Sequence, residues 1–60
     1  MKPITDYYGN TINIGDTIQL VENKHTIGKC IKADNEIIQV AGYYNIYNLY
    51  CKNIITLRLK

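Results

Sequence analysis

Two alternating runs on either side of a polar break constrain this chain more than any other feature. In residues 17–22, Ile18 and Leu20 alternate with Thr17 and Gln19, the period-two pattern of a half-buried strand. Asn23-Lys24-His25-Thr26 has the length and polarity of a hairpin loop. A second run, residues 27–33, opens on Ile27-Gly28, but Lys29 and Lys32 cannot share a solvent face in a flat strand. A bulge or strong coiling near Gly28 is therefore expected. Asp34-Asn35 reads as a two-residue type I′ turn. Beyond it, residues 36–41 should place Ile38 and Val40 inward and Ile37 and Gln39 outward.

The flanking segments extend this pattern. Residues 4–8 and 11–14 flank Gly9-Asn10, two residues that tolerate positive φ, so a tight hairpin or hook is expected there. Gly42-Tyr43-Tyr44-Asn45 reads as a bend. Tyr47, Leu49 and Cys51 then alternate with Asn48 and Tyr50, and Ile55, Leu57 and Leu59 with Thr56 and Arg58. Ile46, Leu49, Tyr50, Asn53, Ile54 and Leu57 also fit helical spacing. Asn is a poor helix former, however, and Tyr, Ile and Thr favour strands, so strand is preferred, with a 3₁₀ turn around residues 52–54 satisfying both patterns. Five short strands with tight turns predict an all-β barrel or sandwich spanning residues 1–60 as one domain. Barrel closure would remove both exposed sheet edges. The expected core is Ile18, Leu20, Cys30, Ile38, Val40, Leu49, Ile55 and Leu57.

Composition narrows the class. Sixty residues that are 47% hydrophobic suit one small globular core. Ile, Asn, Tyr and Lys supply half the chain (11, 7, 6 and 6), a bias that suits the AT-rich genome of a bacterium or its phage. A net charge of +2 falls short of the basic excess of a protein held mainly by phosphates. Two cysteines are too few for a disulfide scaffold, and no run has the length of a signal sequence or membrane span, so a reduced cytoplasmic protein is expected, with no membrane partner.

The run Gly15-Asp16-x-Ile18-x-Leu20, followed by Ile27-Gly28-Lys29-Cys30-Ile31 and Asp34-Asn35, resembles SH3-like barrels, especially those of the KOW type. Cys30 stands where the second strand of that pattern usually has Val. Asp6-Tyr7-Tyr8-Gly9-Asn10-x-Ile12-x-Ile14-Gly15-Asp16 is likewise similar to small SH3-like proteins of bacteria and phages. The resemblance implies a five-stranded barrel used to bind peptides, RNA or other domains. A peptide-binding SH3 domain normally carries a long acidic first loop and a tandem Trp. Here there is no Trp, and the first loop is short and carries Lys24 and His25.

Few residues offer chemistry. His25 is the sole histidine and serine is absent, so no nucleophile and base can be assembled, and no enzymatic activity is expected. Cys30, Cys51 and one histidine do not make a zinc set, and the isolated glycines make no phosphate loop, so no metal or cofactor is expected. Both cysteines are expected inward as small hydrophobes, and Asp16 and Asp34 as local turn acceptors. The six tyrosines are the most unusual feature in a chain with no Phe or Trp. In the adjacent pairs, one ring is expected to face the core while the other caps the rim, with Tyr43 and Tyr44 the most exposed. Tyr43, Tyr44 and Tyr50 are the candidate contacts for a protein partner. The alternative is weak RNA or DNA binding through Lys24, Lys29 and Lys32 with tyrosines, on a basic face shared with His25, Lys52 and Arg58. A solvated surface of mixed sign, with Glu22, Asp34 and Glu36, is the simpler expectation for those charges.

Overall fold

Five strands are present in the computed structural model, which describes residues 3–57. They are β1 (Thr17–Leu20), β2 (Thr26–Lys32), β3 (Ile37–Ala41), β4 (Ile46–Tyr50) and β5 (Ile54–Leu57). All pair antiparallel in one open sheet of order β4-β3-β2-β1-β5, in which β4 and β5 do not pair among the described residues, so the expected closure that would remove both edges is not shown; a 3₁₀ turn at Cys51–Asn53 joins β4 to β5. The segment with two competing periods is thus strand, turn and strand. Its β-branched and aromatic residues lose χ1 freedom in a helix and fit a pleated surface instead. The continuation through Arg58 and Leu59 lies outside the described residues.

The sheet is far from flat. Two irregularities in β2 drive the coiling. Against β1, the pairing steps from Gly28 to Thr26, leaving Ile27 unpaired; against β3, it steps from Cys30 to Lys32, leaving Ile31 unpaired. The second step reconciles the lysines. Lys29 pairs with Ala41 and Lys32 with Gln39, so both lie on the outer face while Cys30 and Val40 point inward. Gly28 permits the close crossing, because an added Cβ would fall on the Ala41 carbonyl.

One face of the sheet encloses a cluster of Ile12, Ile18, Cys30, Ile38, Val40, Cys51 and Ile54, with Ile55 also buried. Leu20 and Leu49 are only half-buried, packed against this cluster at its rim. Leu57, expected inside, is 44% exposed. The cause is register. Inward Ile18 pairs with Thr56, and Leu20 with Ile54, so Ile54 and Thr56 share the core face; Ile55 and Leu57 lie on the opposite face, where Ile55 is still buried and Leu57 is not.

The turns follow local chemistry. Gly15, at φ 94, leads into β1, and the Gly15 N–H and Asp16 carbonyl bracket the Cys30 backbone at 2.8 and 2.9 Å. Asp16 accepts the Asn13 N–H, as expected of a turn carboxylate. Between β1 and β2, Lys24 adopts φ 57, a left-handed conformation unfavourable to a side chain with a Cβ. The turn after β2 corrects the sequence reading. Type I′ geometry needs positive φ at both central residues, yet Lys24 is the sole non-glycine residue with positive φ among those described. Residues 33–36 connect the strands instead, with the Asn35 carboxamide oxygen accepting the Ile37 N–H at 2.8 Å.

Candidate functional site

The ladder has two edges, β5 and β4, and the chain treats them differently. β5 is covered by an N-terminal hook, in which Thr5 bridges to Thr11 around Gly9 at φ 84. The Tyr7 N–H donates to the Ile54 carbonyl at 2.9 Å, and the Thr56 N–H donates to Asp6 Oδ2 at 2.9 Å. These are two of the four β5 backbone groups that point away from β1, the other two being the Ile54 N–H and the Thr56 carbonyl. Asp6 is fully buried. Its Oδ1 accepts the N–H groups of Tyr8 and Asn10, and its Oδ2 also accepts the Thr56 hydroxyl at 2.8 Å. Burial alone would push the carboxyl pKa up; hydrogen bonds from Thr56, Asn10 and Tyr8 outweigh it and hold the pKa below the ordinary 3.8. Lys52 fastens the hook from the 3₁₀ turn, its Nζ donating to Thr5 Oγ1 at 2.7 Å. Nothing in the sequence marks Asp6 beyond its place before a Gly-Asn turn.

Among the described residues, β4 has no such cover. Backbone bonds at both ends of the β3–β4 hairpin, Cys51 N to Glu36 O and Gly42 N to Asn45 O, fix the alternation between them. Residues 47 and 49 face β3, and the N–H and C=O groups of Ile46, Asn48 and Tyr50 face outward. Among the described residues, no hydrogen bond outside the β3 ladder reaches those groups. The pairing with β3 is regular, with no bulge. Residues 37–51 contain no charged residue and no proline.

The tyrosines gather beside this edge and around the hook. Tyr43 and Tyr44, in the bend before β4, are 90% and 86% exposed and meet edge-to-face at 4.7 Å. Tyr50, at the far end of β4, is 41% exposed, and its hydroxyl lies 3.4 Å from the Glu36 carboxylate, whose charge pushes the phenol pKa up. Tyr7 and Tyr8 stack edge-to-face on the hook. All six tyrosines are exposed, so the expectation that one ring of each pair faces the core is corrected. In the 43–44 pair, the bend carries both rings outside the sheet. Tyr50 also forms a ridge between two open grooves. One, of about 520 Å³, reaches across to Leu20, Val21 and Glu22; the other, of about 370 Å³, reaches Pro3, Ile4 and Lys52.

Two of the candidate lysines share a face. Lys29 and Lys32 lie on the outer face of β2, while Lys24 sits in the turn that precedes that strand. Lys52 is engaged by the hook, and Arg58 lies outside the described residues. Cys30 and Cys51 are buried free thiols, and burial pushes the Cys30 pKa up. Among the described residues, no group of three His, Cys, Asp or Glu side chains is placed to hold a metal, and no helix is long and apolar enough to cross a membrane. Compared with known proteins, the chain matches no family model, no curated protein and no solved structure.

Proposed function

We propose that this chain is a small non-enzymatic protein-binding module of SH3-like barrel type that presents β4 and Tyr43, Tyr44 and Tyr50 to a partner. The strand order, the 3₁₀ turn before the last strand and the Gly15-Asp16 entry to β1 support the fold assignment. The observation that carries the function is the bare, uncharged β4 edge with exposed tyrosines at both ends. Aromatic side chains supply large contact area and are enriched in protein interfaces. Capture from the native host at low and moderate salt tests the proposal. Binding persists in moderate salt and is lost in Tyr43→Ala; capture that Tyr43→Ala leaves unchanged would remove the tyrosine surface.

Weak RNA or DNA binding is the second reading. Its one favourable observation is that the step at Ile31 puts Lys29 and Lys32 on one face. A filter-binding titration at two salt concentrations decides it, since phosphate contacts weaken steeply with salt. No retention at low salt ends it.

A further inference from the structure

We infer that the occupant of the β4 edge is β4 of a second copy of this chain, joined antiparallel about a two-fold axis through Asn48. The inference rests on the contact surface proposed above and names its partner. The chain spends a buried carboxylate, Asp6, and the backbone of its hook on covering β5. Among the described residues, β4 has none of the devices that block strand addition: no lysine, no proline, no bulge and no covering loop.

The sequence of β4, Ile46-Tyr47-Asn48-Leu49-Tyr50, is complementary to itself when reversed. With Asn48 opposite Asn48 of the second copy, Ile46 meets Tyr50 and Tyr47 meets Leu49 on either side of the axis. Each of these contacts sets an aromatic ring against an aliphatic side chain, a favourable cross-strand pair. At the axis, two carboxamides face each other, each able to donate and accept. The outward backbone groups fit the same register. Ile46, Asn48 and Tyr50 direct their N–H and C=O groups to the edge, so reciprocal hydrogen bonds form at all three positions and each group finds a partner. A shift by one residue would bring groups facing the second copy opposite groups that face β3.

Charge permits the approach. Each copy carries +2, yet residues 37–51 contribute none of it, so the two hairpins meet without like charges across the axis. A five-residue strand buries less than the roughly 800 Å² per partner of a standard interface, so association is weak, with a Kd of about 10 µM to 1 mM.

Sedimentation equilibrium across that range tests the inference. The expected result is a monomer at low concentration giving way to twice the monomer mass. N48K and N48D alter one exposed side chain on the outer face, and circular dichroism checks that each still folds. N48K alone sets two lysines against each other at the axis and weakens dimerisation by about tenfold or more. Mixing N48K with N48D restores the dimer, because only a register with residue 48 opposite residue 48 pairs those charges. Amide exchange at Ile46, Asn48 and Tyr50 slows with concentration, while that at Tyr47 and Leu49 does not change. A wild-type chain that stays monomeric at about 1 mM overturns the inference, as does a dimer indifferent to N48K. Either outcome leaves the Tyr43→Ala capture experiment as a separate test of the binding surface.

Discussion

Replacing Asp6 with Asn is the most informative single change, because it keeps shape and removes charge. The wild-type carboxylate accepts four hydrogen bonds, from the N–H groups of Tyr8, Asn10 and Thr56 and from the Thr56 hydroxyl. In the variant, the carboxamide oxygen can still accept from Tyr8 and Asn10, but the new NH2 group then faces the Thr56 N–H, donor against donor. A buried donor without a partner costs about 1–3 kcal/mol, and a bond to a charged acceptor contributes about 1.5–3 kcal/mol, so the overlapping losses come to about 2–4 kcal/mol. A chain of this length is stable by about 3–9 kcal/mol, so the variant sits near the limit of folding. Urea titration reads the change: with a slope of about 1 kcal/mol/M, the midpoint falls by about 2–4 M, or the transition disappears. The pH dependence gives a second, signed readout. The folded pKa lies below the ordinary 3.8, so the carboxylate's contribution is fully present above the unfolded pKa and is lost as pH falls through the folded one. The gap between wild type and Asp6→Asn is therefore constant at neutral pH and closes in acid. A midpoint shift under about 0.5 M at neutral pH would refute the reasoning, as would a gap that widens on acidification.

Three further outcomes follow from the fold. Gly28→Ala drives a Cβ onto the Ala41 carbonyl and should cost about 1–3 kcal/mol, measured by urea titration; a neutral effect would show that β2 and β3 do not cross closely there. Lys24→Gly relieves the left-handed conformation at φ 57 and should raise stability by about 0.5–1 kcal/mol, seen as a higher melting temperature; a loss would contradict the turn geometry. Cys30 and Cys51 are buried free thiols, so Ellman's reagent should label native protein slowly and urea-unfolded protein at once; equal rates would place the thiols at the surface.

Much of the sheet was legible because strand alternation is a local signal. Period-two spacing marks Ile18, Ile38 and Val40 as core, and the conflict between Lys29 and Lys32 calls for a bulge near Gly28; one irregularity does lie there, at Ile27, but the step that reconciles the lysines lies at Ile31. What was not legible depends on distant partners. Leu57, expected inward, turns out, and Ile54, absent from the expected core, turns in, because pairing with β1 sets their register. Asp6 reads as an ordinary turn residue, since its burial depends on Thr56, fifty residues away. The Asp34-Asn35 turn misleads because a carboxamide bond to Ile37 replaces the positive φ that a two-residue loop needs. For the site, exposure of Tyr43 and Tyr44 was foreseeable from their glycine bend. The bareness of β4 was not, because edge status is a property of the whole strand order.

Native-state amide exchange on dilute protein tests the unequal treatment of the two edges most directly. The Thr56 amide, held by Asp6 Oδ2, should exchange as slowly as the β1–β5 ladder, while Ile46, Asn48 and Tyr50 exchange as fast as loop amides. A Thr56 amide as fast as that of Asn48, or protection of the β4 edge in the dilute monomer, would contradict it.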